Sequence, residues 1–407
     1  MDTQKEEERQ IELGRLLRFD MRHLTWLPCL MILSVVVNVS ISMTLLEISI
    51  LSYLLLAMVL LSFFSMSYLY VRKGAVSNVV LMAFLFELVL ITSTIMNGTD
   101  IKRGFYEGCS VLFIFIVCDY YKDRYYMLIV AFAVSFSICA YLNFLHLLMH
   151  PNLWIIDDLK TNQGYLLGGN YNGMGCRLLC AVGLSIACLK YSKWWLLNII
   201  PVTIVSIVSL GIVGSMTSVT GVILLLLFCL IPSHRLLKMG IVSLITFVII
   251  FQVFVCFQGK GIEQNELAVW FVEDVLGKDI TFTYRTLMWE AAKKVVVESP
   301  LFGYGLVSKD WYFSHMSSFA LGPHNFIWAI LIFGGVILLA LFTFICFIVF
   351  ARFLRVKDKH ILHIYAAAAV MFLMMTMEYY PLPFIFTLLS LSYFAPQALT
   401  DHITIQE

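Results

Sequence analysis

Long uninterrupted apolar runs recur along this chain, and they leave it few ways to fold. They fall at 24–43, 49–71, 76–96, 105–120, 126–148, 172–190, 194–213, 216–232, 236–257, 325–350, 361–378 and 382–398. Most are about 17–25 residues long, enough at about 1.5 Å per residue to cross roughly 30 Å of hydrocarbon. Backbone immersed in hydrocarbon must satisfy its own hydrogen bonds, so runs of this length read as membrane-spanning helices. Composition agrees: 61% of residues are hydrophobic and only 13% charged, where soluble proteins hold about 45–50% and about 25%. The expectation is an all-α polytopic membrane protein with about 12 transmembrane helices. A formal net charge of +1 supplies no footprint for nucleic acid, so no nucleic-acid partner is expected.

The ten cysteines lie within or beside the apolar runs. A disulfide framework or a zinc site would need clustered, solvent-reachable thiols, so these read as small packing residues. No cleavable signal is expected at the N-terminus, where both charge signs mix before the first run. Ile11, Leu13, Leu16, Leu17 and Phe19 form either one side of a helix lying on the membrane or part of a solvated tail. Basic residues set the orientation. Arg15, Arg18, Arg22, Arg72, Lys73, Lys122, Arg124, Lys190, Lys193, Arg235, Lys238, Arg352 and Arg355 fall on one side; Lys102 and Arg103 break the pattern. Both termini are expected in the cytoplasm, within a multi-pass protein of the cytoplasmic membrane.

The expected organisation is then a cytoplasmic segment 1–23, spans 1–9 over 24–257, an extracytoplasmic loop 258–324, spans 10–12 over 325–398 and a tail 399–407. The loop is the longest stretch unable to lie in lipid, and the reactive groups are expected on it. Within it, Tyr284, Leu287, Met288, Ala291 and Val295 recur at helical spacing as one apolar stripe. Thr283 would cap that helix and Ser299-Pro300 would stop it. Arg285 lies near its start, where the helix dipole does not favour a cation. It therefore meets either an anion or a rim partner among Glu273, Asp274 and Asp279. Arg285 and Trp289, four apart, share a face. Leu301-Phe302-Gly303-Tyr304-Gly305 makes either a sugar platform or a re-entry turn. Gly322-Pro323-His324-Asn325 opens the tenth span, with His324 in its first turn, where the dipole disfavours imidazolium and attracts phosphate.

Polar residues in the other spans carry less. Asp157 and Asp158 diverge by about 100° on a helix and read as a solvated turn. Asn170 and Asn172 either cap the sixth span or bond sugar hydroxyls, with capping the default. Arg177, about 7–8 Å below the outer end of that span, either snorkels or binds an anion in an outward cavity. Gly211–Gly221 is a small-residue packing stretch. Glu87 sits mid-span, with no second acidic group at matching depth to make a relay.

Arg285 four residues before Trp289, then Pro-Leu-Phe-Gly-Tyr-Gly, then His324-Asn325 opening a span with Gly334-Gly335, resembles the signature of the O-antigen ligase / O-antigen polymerase superfamily. Gly168–Gly173 is similar to that family's Asn-rich approach to a middle span. Glu378-Tyr379-Tyr380-Pro381 stands where it has an acidic turn before the last span. The resemblance implies a metal-independent, cofactor-free, inverting glycosyltransferase acting on undecaprenyl-pyrophosphate-linked oligosaccharide. Its implied partners are the lipid bilayer, a flippase and a chain-length regulator. Carried onto this chain, Arg285 would bind the pyrophosphate and His324 would be the general base. Trp289 and Tyr304 would shape the sugar path, with Asn325 and Asn172 beside the substrate. The family's second arginine is missing from Thr217-Ser218-Val219-Thr220-Gly221, so Arg177 would have to replace it. A transporter or flippase for a lipid-linked sugar is the competing class. It would place charges at several depths and show paired halves, and no internal repeat is visible.

Overall fold

The computed structural model describes residues 26–41, 49–154, 165–167, 172–275, 284–317 and 322–401. The proposed surface helix over 11–19, Asp157, Asp158, Asn170, Thr283 and the last tail residues lie outside these. The described residues are helical, with no strand among them beyond an isolated bridge between Ile41 and Leu167. In chain order the helices are α1 (Trp26–Ser40), α2 (Ser49–Lys73), α3 (Asn78–Met96), α4 (Ile101–Tyr120), α5 (Tyr125–Met149), α6 (Met174–Ala187) and α7 (Leu196–Ile212). There follow α8 (Met216–Leu230), α9 (His234–Phe251), α10 (Arg285–Glu298), α11 (Lys309–His315), α12 (Phe326–Phe353), α13 (Lys359–Met375) and α14 (Leu382–Asp401).

A helix occupies each of the twelve apolar stretches, and α10 and α11 occupy the polar stretch before α12. Among the described residues, six helices are long and apolar enough to cross a bilayer: those of α2, α3, α5, α7, α9 and α12. Helix α4 matches them in length but carries Lys102, Arg103, Glu107 and Asp119, and the apolar stretches of α1, α8, α13 and α14 are shorter. Helix α6 has 14 residues, about 21 Å of rise, and every one of them is buried. It packs with α5, α13 and α8 in the middle of the bundle, while α2 and α9 expose most of their apolar surface. Such a surface suits lipid.

Close approach at the centre needs missing side chains. A Cβ on Gly183 would meet Ala367 at 2.8 Å, and one on Gly221 would meet Met374 Cγ at 3.0 Å. Of the Gly211–Gly221 stretch, Gly221 makes such a contact, while a Cβ on Gly211 would meet nothing within 4 Å. All ten cysteines are free thiols, buried or half-buried.

The element that shapes the site end of the bundle is a break in α12. Gly334 (φ −146°, ψ 15°) and Gly335 (φ 62°, ψ −159°) leave the helical region, which would strand backbone groups in an apolar setting. The turn after α10 satisfies them. Pro300 and Leu301 carbonyls accept from Val336 N (2.8 Å) and Ile337 N (3.4 Å). Tyr304 and Gly305 amides donate to Ile332 O (2.7 Å) and Phe333 O (2.8 Å). From the other side α3 holds the same turn: Ser93 Oγ donates to Phe302 O at 2.6 Å and Thr94 Oγ1 accepts from Leu306 N at 3.0 Å. The glycines of Gly303-Tyr304-Gly305 are thus explained by backbone proximity. A Cβ on Gly305 would lie 2.6 Å from Thr94 N, and one on Gly303 would lie 2.8 Å from Gly334 N.

Candidate active site

Helix α10 begins at Arg285, preceded by Tyr284 in the left-handed region (φ 65°), and ends before Ser299-Pro300 as its sequence requires. The apolar stripe is rotated from the one expected. Thr286, Trp289, Ala292 and Val295 are buried, Leu287, Met288 and Ala291 are half-buried, and Tyr284 is 61% exposed. The largest side chain takes the core and turns the helix with it. The threonine is tolerated there because its hydroxyl bonds Glu263 Oε1 at 3.2 Å. Trp289, fully buried against α12, offers no ring face to a sugar. That corrects the sugar-path role expected of it.

At the N-terminal end of this helix, Arg285 Nε donates to Met377 O at 2.9 Å. The residue after Met377 is Glu378, on the turn between α13 and α14, and it is 8% exposed. His324 reaches the same carboxylate, with Nδ1 3.0 Å from Glu378 Oε2. Asn172 Nδ2 donates to that oxygen at 2.8 Å, and Tyr379 N donates to Oε1 at 3.1 Å. Ser215 Oγ in turn donates to Asn172 Oδ1 at 3.3 Å. Asn172 therefore does not cap α6; it anchors the glutamate. Burial alone would raise the Glu378 carboxyl. The His324 charge and hydrogen bond, with the Arg285 charge, outweigh burial and hold it below its ordinary 4.5.

His324 does not fall in the first turn of α12. Asn325 is the N-cap, its side chain accepting from Trp328 N at 3.0 Å. His324 precedes it at φ 44°, a conformation that costs a non-glycine residue about 1–2 kcal/mol. The backbone turns left-handed because Asn325 is pinned on three sides. Its Nδ2 donates to Gln252 Oε1 (2.8 Å) and to Thr376 O (2.9 Å), while its Oδ1 serves as the cap. The imidazole is thereby aimed at Glu378 instead of at the helix end. Asn325 is 0% exposed and spends its amide on structure.

Arg177 neither snorkels nor opens to an anion. It is 5% exposed, and its guanidinium donates to Ser40 O (3.0 Å), Val39 O (3.3 Å) and Gly173 O. It lies 4.4 Å over the Phe384 ring. These carbonyls close the C-terminal end of α1 onto the start of α6, a helix-end use of a cation. The Tyr304 hydroxyl donates to Val295 O and Glu298 Oε2, each at 3.3 Å, and its ring rests 5.0 Å from Trp311. That turn is the wedge in α12, with its side chain folded back on α10.

Two acidic groups stand out against the sequence expectations. Glu378 appeared only as part of a turn motif, yet it joins Arg285, His324 and Asn172; its partners lie up to 206 positions away along the chain, beyond any local pattern. Glu87 has a second carboxylate nearby after all. A Cβ on Gly108 would lie 3.0 Å from Glu87 Oε2. The neighbouring Glu107 Oε1 accepts from Arg103 Nε at 2.7 Å. Glu107 on α4 is close enough to act on the Glu87 carboxylate of α3 electrostatically, a neighbour supplied by a different helix.

This fold is that of a multi-pass helical membrane protein with a polar, carboxylate-centred cluster at one end of the bundle. A family model described as O-antigen ligase matches residues 201–343, the stretch from α7 into α12 that holds Arg285, Trp289, Tyr304, His324 and Asn325. The resemblance to the O-antigen ligase / O-antigen polymerase superfamily stands on that match. No curated protein matches the chain.

Proposed function

We propose that this protein polymerises or ligates undecaprenyl-pyrophosphate-linked oligosaccharide repeat units at the outer face of the cytoplasmic membrane, for an O-antigen, capsule or exopolysaccharide. The match to the O-antigen ligase family supports an enzyme of that general type. The observation that carries the site assignment is the convergence of Arg285 and His324 on the Glu378 turn.

With Nδ1 held by Glu378, the imidazole presents Nε2 to an acceptor. A sugar hydroxyl attacks the anomeric carbon of the donor and passes its proton to Nε2. The new C–O bond forms as the bond to the pyrophosphate oxygen breaks. The electron pair leaves on pyrophosphate beside Arg285, whose planar cation suits that charge, and the anomeric configuration inverts. Glu378 acts through His324: it fixes which ring nitrogen carries the proton and stabilises the imidazolium that forms, so it is a positioning residue. A flippase and a chain-length regulator would be working partners, one delivering the donor and the other setting product length.

The test is surface polysaccharide length on a gel for His324→Ala and Arg285→Ala. Loss of everything beyond single repeat units is expected in both. Normal lengths in both variants reject the assignment. Repeat units trapped inside the cell, with no export, favour a flippase instead.

A further inference from the structure

The end of the bundle opposite Glu378 holds a cleft that the transfer reaction does not use. It is an open hollow of about 80 Å³ lined by Lys73, Tyr120, Tyr121, Asp123 and Arg124, where the last turn of α2 meets the corner between α4 and α5. That is well below the roughly 300–1,000 Å³ of a drug-sized ligand pocket, so the hollow suits a group no larger than a single phosphate.

The charges around it are unevenly answered. Beneath the cleft, Asp119 is 2% exposed and fully used. Lys122 Nζ lies 3.2 Å from its carboxylate, the Tyr70 hydroxyl donates to it, and Lys73 Nζ reaches its carbonyl at 3.4 Å. The lining itself sets two cations, Lys73 and Arg124, against the single exposed carboxylate of Asp123. Lys73 is steadied 5.5 Å over the Tyr120 ring. Arg124 is half-buried, and no ion pair or side-chain hydrogen bond holds its guanidinium among the described residues. A planar fork and an ammonium lining one hollow are cationic donors of the kind a phosphate site uses.

We propose that this cleft binds the phosphate of an anionic phospholipid headgroup. The location selects a lipid over a free anion. Around the same end of α2, Tyr68 is 62% exposed and Val71 74% exposed, and the following turn exposes Val76, an apolar surface that belongs against acyl chains. Basic pockets between helices at this level are where anionic headgroups bind. Arg72 shows what an ordinary solvated cation looks like here: it is exposed, lies 5.7 Å over the Tyr68 ring and is not part of this lining.

The purified full-length protein tests this in mixed micelles. Phosphatidylglycerol, phosphatidylcholine and inorganic phosphate are added separately, and bound lipid is counted by native mass spectrometry beside the thermal midpoint. Phosphatidylglycerol should stay bound and raise the midpoint, with affinity falling roughly five-fold for each cation removed in Lys73→Ala and Arg124→Ala. Arg72→Ala should match the parent, and Arg124→Lys guards against misfolding by keeping the charge while losing the fork. Equal binding of the two lipids overturns the proposal, as does an effect undiminished in both single variants. Inorganic phosphate reproducing the whole effect overturns the lipid source.

Discussion

Gly335→Ala should be among the most damaging single-methyl additions to this protein. The residue sits at φ +62°, and an added Cβ would press on the Leu301 carbonyl and come within 2.5 Å of Pro300 O. Those are backbone atoms, so no side chain can swing aside. Three costs follow: backbone strain of about 1–3 kcal/mol, since φ 62°, ψ −159° is a region essentially reserved for glycine, overpacking of about 1–3 kcal/mol, and about 0.5–1.5 kcal/mol as the Pro300 carbonyl is pushed off Val336 N. About 2.5–7.5 kcal/mol is thus at stake, against total stabilities of about 5–15 kcal/mol. Gly74→Ala is the control. It has the same handedness (φ +73°) but nothing within 4 Å of the added methyl, so it should cost only the strain, about 1–2 kcal/mol. The assay is thermal unfolding of the two purified variants in the same detergent, followed by near-ultraviolet dichroism. Equal losses in both would refute the claim that the 300–305 turn is wedged into the broken helix.

Two further outcomes follow from the site. Glu378→Gln removes the negative charge while keeping the shape, and should cut transfer by up to about 10⁴-fold, as loss of the carboxylate that fixes a general-base histidine's tautomer does elsewhere, with little change in substrate KM. Because the Glu378 carboxyl is held below its ordinary 4.5, its stabilisation is fully present above that value and is lost as pH falls through the depressed folded value. The parent's unfolding midpoint should therefore drop in strong acid by more than that of Glu378→Gln, a difference read from thermal melts across pH. Arg177→Lys should cost about 2–4 kcal/mol, since an ammonium cannot serve three carbonyls set around a fork. If Arg177 instead binds the donor's anion, melts will be unchanged and activity alone will fall.

The sequence carried much of this. Hydrophobic runs locate helices because in lipid length and apolarity are nearly the whole requirement, and each run holds a helix. Arg285 and His324 stood out because charged groups beside such runs need a partner; that the partner is the Glu378 turn, and that Asn172 anchors it instead of capping α6, did not. What stayed hidden was whatever depends on a distant neighbour. The rotation of α10 is decided by a pocket for Trp289, and the left-handed turn at His324 by Gln252 and Thr376 around Asn325. Gly303 and Gly305 left a sugar platform and a re-entry turn both open, because a glycine's need for a close neighbour does not say which neighbour. Arg177 looked like an anion ligand because the chain gives no sign that Val39 and Ser40 end a helix beside it.

The break at Gly334-Gly335 has a mechanical consequence. The N-terminal half of α12, which begins just after His324, is tied through the 300–305 turn to α3 across the break that separates it from its own C-terminal half. Tilting or sliding of the lower half, as lipid thickness changes, would be absorbed at the two glycines before it reached the imidazole. The protein thereby keeps His324 registered to the 300–305 turn while the rest of the rod rides with the bilayer.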